Sequence, residues 1–248
     1  GVESFESNTV CAKTNDYAIT APTNVIVTAL DAFSVELTWD VVEYAQRYNI
    51  YIGGEFVKSL TGNGYLLEDL TPSTEYCFEV SAVRNDYETE KVEACGSTAA
   101  IDFNDENLPT EFYFDFNDQL LDEFTLVDAD GDGNGWSASS TANGYDNTFA
   151  IRSYSYWYAP LPPNNYIYTK RPYRITETSV VKLNAKCGLG MNTDLGEHYA
   201  VVVSEDGENW DIVFEETIEH AEWTNTSVSL AEYAGKGVLV GIRHYNCT

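Results

Sequence analysis

The chain has 248 residues, 44% hydrophobic and 21% charged, the composition of a folded globular protein and not of a disordered one. Its 40 acidic and 13 basic side chains leave a net charge of −27, which argues against nucleic acid and against an anionic membrane surface, both of which call for a positive footprint, and suits hard cations. No apolar run approaches the ~18 residues of a membrane span, and no signal peptide opens the chain, so the expectation is a cytosolic protein or a mature secreted fragment.

Eighteen tyrosines stand against a single methionine, and short Val- and Thr-rich runs punctuated by Gly and Asn read as all-β. Residues 25 to 98 alternate with a period of two. Val35, Leu37 and Trp39 fall on one face with Glu36 and Thr38 on the other, and Tyr76-Cys-Phe78-Glu-Val80-Ser-Ala82 repeats the pattern. Gly53-Gly54 and Gly62-Asn-Gly64 are hairpin turn signals. About seven short strands in this space predict an immunoglobulin-like sandwich.

Pro22, Val35-Glu-Leu-Thr-Trp39, Tyr48-Asn-Ile-Tyr51 and Leu70-Thr-Pro-Ser-Thr-Glu-Tyr76 together resemble a fibronectin type III domain. The resemblance implies a tyrosine corner, with Tyr76 bonded back to the chain near Leu70. The family's integrin-binding Arg-Gly-Asp is absent; the corresponding turn reads Arg84-Asn-Asp-Tyr87. A turn centred on Asp86 places Cys77 opposite Cys95 and predicts a cross-strand disulfide between them, two reduced thiols being the alternative.

The remaining cysteines are Cys11, Cys187 and Cys247. No CxxC spacing points to a structural zinc site, and an odd number leaves one thiol over. Residues 6 to 14, with acid, Cys11 and Thr14 in step with Glu90, Cys95 and Thr98, look like the last strand of a preceding repeat. On that reading the chain is a piece of a longer modular protein and residues 1–20 are a remnant or linker. Cys187 and Cys247 each end a predicted strand in the second half. They are paired here as a second disulfide, with a partner for Cys247 beyond the chain as the alternative.

Residues 100–110 read as a linker. Between Asp102 and Asp132 stand 11 acidic residues and no Lys or Arg. Asp128, Asp130, Asp132 and Asn134 alternate with small residues, and a tight loop of that kind aims several oxygens at one point, as Ca²⁺ requires. The twelfth position from Asp128 is Ser139 and not Glu, so this is no EF-hand. Further oxygens are expected from Asp115 or Asp118. The competing reading is a solvated Asp/Gly turn.

Further strands are predicted around 179–185, 198–203, 226–230 and 237–243, without helices, as in a jelly roll. Between 154 and 168 six aromatics fall in fifteen residues. Alternation sends Tyr154, Tyr156 and Tyr158 to one face and Trp157 to the other. Trp157, with Tyr156, Tyr158 and Tyr166, is the candidate ligand contact, core filling being the alternative. Arg152, Lys170, Arg171 and Arg174 form a basic island, read as neutralising the acidic segment or meeting an anionic partner. No Gly-x-Ser-x-Gly, His-Glu-x-x-His or Gly-rich phosphate loop is present, so no enzyme is expected.

Phe114-Asp-Phe-Asn-Asp118, Asp128 through Trp136, Leu161 through Lys170, Glu197 through Ser204 and Arg243-His-Tyr-Asn-Cys247 follow one another as in the cleaved-adhesin family of gingipain-like surface proteins, which residues 111–248 resemble. That resemblance implies a β jelly roll, bound calcium and adhesion to host proteins or cells. It also implies a further acidic strand after Cys247. The expected protein is therefore all-β: a fibronectin type III sandwich over 21–99 and a larger jelly roll over 111–248. It is expected to be secreted or cell-surface, non-catalytic and calcium-stabilised. Its expected partners are a host or cell-surface protein or glycan and other domains of the same longer chain, with neither nucleic acid nor membrane insertion. A carbohydrate-binding module of a secreted hydrolase and a structural stalk remain as alternatives.

Overall fold

A computed structural model describes residues 17–119, 121–139, 144–155, 162–187 and 196–247. The chain divides after Ile101 into two compact units, each almost entirely of antiparallel strands.

The first unit holds β1 (Ile26–Ala29), β2 (Val35–Thr38), β3 (Arg47–Ile52), β4 (Glu55–Leu60), β5 (Gly64–Leu67), β6 (Glu75–Arg84), β7 (Tyr87–Glu88) and β8 (Val92–Ser97). One sheet runs β1-β2-β5, and the other runs β4-β3-β6 with β7 and β8 both paired to β6. The period of two works as expected. Val35, Leu37, Trp39, Ile50, Phe78, Val80 and Ala82 are buried together between the sheets, while Glu36 faces solvent. The Tyr76 hydroxyl accepts the Thr71 N–H at 2.9 Å, which is the expected tyrosine corner.

Cys77 lies directly opposite Cys95 and is bonded to it. The turn itself is centred between Asn85 and Asp86, since Arg84 faces Tyr87. One extra residue between Glu88 and Val92 then shifts the register before the cysteines meet. A bulge of this kind is how antiparallel pairs absorb an odd residue.

The second unit holds β9 (Phe124–Asp128), β10 (Ser137–Ala138), β11 (Ile151–Arg152), β12 (Asn164–Thr169), β13 (Tyr173–Arg174), β14 (Val180–Ala185), β15 (Glu197–Ser204), β16 (Asp211–Ile218), β17 (Thr224–Ser229) and β18 (Gly237–Tyr245). The main sheet runs β16-β15-β18-β12-β9 with β13 beside β18, and β14-β17 and β10-β11 form two-stranded ribbons. Val201, Val203, Val238 and Val240 on one face of the main sheet pack against Val181, Val228 and Leu230, from and beside the β14-β17 ribbon. The opposite face carries Ala200 and Val202 under Tyr245, with Tyr166 and Trp210 against them.

The segment expected to be a linker is largely bound into this unit. The Phe103 carbonyl accepts the Gly237 N–H at 3.1 Å and the Pro109 carbonyl accepts the Arg174 N–H at 2.9 Å. Gly237 is what lets it lie there: a Cβ at that position would come within 2.3 Å of the Phe103 oxygen and 2.5 Å of Leu108 Cδ1.

Candidate functional site

The acidic loop leaves β9 at Asp128 and turns back through Gly131 and Gly133, whose φ values of 71° and 82° are the left-handed conformation that glycine takes at no steric cost. The turn aims backbone donors inward. Asp128 Oδ1 accepts the Gly131 N–H at 2.9 Å and Oδ2 the Gly133 N–H at 2.8 Å, while Asp132 Oδ1 accepts the Asn134 N–H at 2.7 Å.

Carboxylate oxygens of Asp128, Asp130 and Asp132 lie within 4.8 Å of one another. The Gly133 N–H foremost holds the Asp128 carboxyl below its ordinary range. Burial, and then the hydrogen bond shared with Asp128, push the Asp130 carboxyl up. Two carboxylates in hydrogen-bond contact need a proton between them or a cation beside them. Free lone pairs on a glycine-turned loop therefore fit a hard, oxygen-loving ion such as Ca²⁺, with Asp128, Asp130 and Asp132 as its holders. Asn134 lies in the same loop, its side-chain amide donating to the Asp132 carbonyl at 3.3 Å.

Asp115 and Asp118, expected to lend further oxygens, are not among the carboxylates that converge there. Asp115 is engaged by its own turn, accepting both the backbone N–H and the side-chain amide of Asn117 at 3.0 Å. Both residues instead line a pocket of about 380 Å³ walled by Phe114, Phe116 and Phe124.

Of the aromatic candidates, Tyr156, Trp157 and Tyr158 lie outside the described residues. Tyr166 is on β12, half-buried, on the face of the main sheet opposite the β14-β17 ribbon. It stands 6.2 Å from Trp210, which also packs on Tyr168 at 4.6 Å. The Arg243 guanidinium lies 5.0 Å over Tyr166 and 4.2 Å over Tyr245. Tyr166, Tyr168, Trp210 and Arg243 are all partly exposed, so they form a platform of rings with one cation set among them. Sequence reasoning missed Trp210 and Arg243 as members. The available signal was register: Arg243 faces Tyr166 across β12-β18, so the two had to share a face.

Platform and loop are neighbours, because Val127, the residue before Asp128, pairs with Tyr166. Of the basic island, Arg152 lies 5.2 Å over the Tyr154 ring.

Cys187 and Cys247, expected to bridge, are both thiols. Cys247 Sγ is turned toward His244 Nε2 at 3.1 Å and the His198 N–H at 3.3 Å. Burial pushes the Cys247 thiol up to about 12 and raises that of Cys187 as well.

Comparison with known proteins gives two family matches. Residues 110–248 match the Cleaved Adhesin Domain and residues 20–94 the Fibronectin type III domain. The chain is 33% identical over 154 residues to Gingipain R1 of Porphyromonas gingivalis, covering 51% of this chain and 8% of that protein. It is 33% identical over 154 residues to Hemagglutinin A of the same organism, covering 51% and 7%, and 30% identical over 154 residues to its Protease PrtH, covering 51% and 15%. The match thus spans 15% or less of the length of these relatives. Among solved structures, the fn3 domain of human collagen alpha-1(XX) chain is similar at 23% identity and a TM-score of 0.31, covering 37% of this chain and 93% of that one.

Proposed function

Because the chain belongs to the Cleaved Adhesin Domain family, we propose that it is an adhesive, non-catalytic part of a secreted or cell-surface protein. Its second unit binds host-protein or cell-surface ligands, and its fibronectin type III unit acts as a spacer. The observation that carries this reading is the platform of rings on the face of the main sheet opposite the β14-β17 ribbon. Tyr, Trp and Arg are the side chains that dominate binding hot spots, and here they stand side by side and partly exposed, the tyrosines on β12, Arg243 on β18 and Trp210 in the turn just before β16. Rings pre-set by strand geometry, as Tyr166 and Tyr168 are, or by packing on them, as Trp210 is, lose little freedom when a partner covers them.

Calcium has a mechanical place in the same reading. Held by Asp128, Asp130 and Asp132, it would replace mutual repulsion with shared coordination next to Val127 and Tyr166, stiffening the border of the platform. The Cys77–Cys95 disulfide supports an oxidising, extracellular setting. The names of the relatives, haemagglutinin and gingipain, support adhesion.

The test is binding of the chain to a panel of extracellular-matrix proteins and to a glycan array, each in millimolar Ca²⁺ and in EDTA. Protein binding that falls at least tenfold in Trp210→Ala and Tyr166→Ala, and weakens in EDTA, is the expected result. A response to glycans alone would transfer the chain to the carbohydrate-binding modules. Silence on both panels would leave a stalk.

A further inference from the structure

Behind the ring platform, and joined to the acidic loop through Asn165, whose amide also donates to the Asn134 carbonyl at 3.2 Å, polar side chains meet on the other side of the main sheet. His244 on β18 is 5% exposed. Its Nε2 lies 2.7 Å from Glu197 Oε2 and 3.1 Å from Cys247 Sγ, and one donor atom from each of the three lies within 4.8 Å of the others. Both His244 and Glu197 are held from behind. His244 Nδ1 meets Ser153 Oγ at 2.8 Å, Ser153 Oγ accepts the Asn165 side-chain amide at 3.2 Å, and the Ser155 hydroxyl donates to Glu197 Oε1.

A cysteine beside a histidine suggests a nucleophile and its base, but the wiring is wrong for that. In a catalytic relay the imidazole gives one nitrogen to the nucleophile and the other to the acid. Here thiol and carboxylate share Nε2, and Nδ1 is engaged by Ser153. Sulfur, nitrogen and oxygen converging on one point, with the ligands fixed by outer partners, is the arrangement of a metal centre.

We propose that Glu197, His244 and Cys247 form a binding site for a divalent transition-metal cation of the zinc class. Calcium and magnesium take oxygen ligands, whereas thiolate and imidazole together select zinc and its neighbours. Zinc bonds of ~2.0–2.3 Å would set the ligand atoms roughly 3.3–3.6 Å apart, so the present hydrogen-bonded cluster opens by about half an ångström to admit the ion. On binding, the Cys247 thiol proton leaves to solvent and the sulfur bonds the metal. The His244 proton resides on Nδ1, where Ser153 Oγ accepts it, freeing the Nε2 lone pair. The cation, one thiolate and one carboxylate then sum to a neutral centre, which suits a buried position. Cys187 is near enough to Glu197 and Cys247 for their charges to act on it, so its oxidation to a disulfide with Cys247 is the competing chemistry.

The experiment takes the whole chain, reduced and freed of metal, and titrates it with Co²⁺ and then Zn²⁺. One equivalent of Co²⁺ should raise a thiolate-to-cobalt charge-transfer band that Zn²⁺ bleaches and excess Ca²⁺ leaves intact. Cys247→Ser should abolish the band, and Ser153→Ala, which touches no metal, should weaken Zn²⁺ affinity by about tenfold. Asp130→Asn, on the acidic loop, should leave the band unchanged. The assignment is overturned by the absence of a band in the reduced wild-type chain, by a band that survives Cys247→Ser, or by a stoichiometric Cys187–Cys247 disulfide in protein recovered from an oxidising medium.

Discussion

The two units fill their interiors with different chemistry. In the first, the large side chains fully withdrawn from water are hydrocarbon, Val35, Leu37, Ile50, Phe78 and Val80, and the buried polar ones are small hydroxyls, Ser34, Ser81, Thr89 and Thr98. The second sets Val201, Val203 and Val238 beside buried Asn165, Thr169, Ser204 and His244, each tied to a hydrogen-bond partner. A hydrocarbon core is non-directional and tolerates small rearrangements at modest cost. A buried polar set holds its members to the directions of the hydrogen bonds they make. The first unit is therefore suited to carrying load, and the second to holding particular geometries at particular points.

That contrast can be pressed hardest at Phe78, which is 0% exposed. Phe78→Ala is expected to cost the first unit about 3–5 kcal/mol, read as a lowered denaturation midpoint, while the transition of the second unit stays where it is. The Cys77–Cys95 bridge closes a separation of 18 residues. Its removal by Cys77→Ser with Cys95→Ser is expected to cost about 3 kcal/mol, again confined to the first unit.

Calcium sharpens the comparison from the other side. At free Ca²⁺ ~100 times the dissociation constant, the second unit should gain about 2.7 kcal/mol over EDTA, and the first unit nothing. Asp130→Asn should remove that gain. Identical melting in Ca²⁺ and EDTA would take calcium out of the account.

The smallest effect concerns Asp206, whose carboxylate accepts the Asn209 side-chain amide at 2.7 Å and the backbone N–H groups of Asn209 and Glu208 at 2.7 and 2.9 Å. These bonds, the Asn209 amide foremost, hold its carboxyl far below the ordinary range. The folded value is the lower one, so the contribution is complete above the ordinary aspartate range and fades as pH falls through it. Asp206→Asn should therefore depress the melting temperature near neutrality, and the gap from wild type should close on acidification.

Much of this fold is legible in the order of residues, for reasons that also mark where legibility ends. The first unit could be read because period-two alternation and the Leu70–Tyr76 corner are local patterns. The disulfide was reachable by counting from the turn, even though the turn is centred half a residue earlier and a bulge restores the register. The carboxylates of Asp128, Asp130 and Asp132 converge because the loop is a few residues long and its glycines dictate the bend. Asp115 turns instead to Asn117, two residues on, whose backbone and side-chain N–H groups it accepts. The linker reading of 100–110 failed because the glycine that accommodates the segment lies far away at 237. The cluster of Ser153, Asn165, Glu197, His244 and Cys247 was invisible for the same reason: its members are ordinary one by one, and only the pairing of β12, β15 and β18 brings them together.

Among the described residues, β9 is an outer strand of the main sheet, with one side of its backbone unpaired. Such an edge invites a second copy to add itself as the next strand, the route to fibrous self-assembly. Here the strand runs straight into Asp128, Asp130 and Asp132, and an identical chain approaching it would bring its own carboxylates to the same place. Left unneutralised, these carboxylates are a gatekeeper at the strand edge, keeping copies of the chain apart.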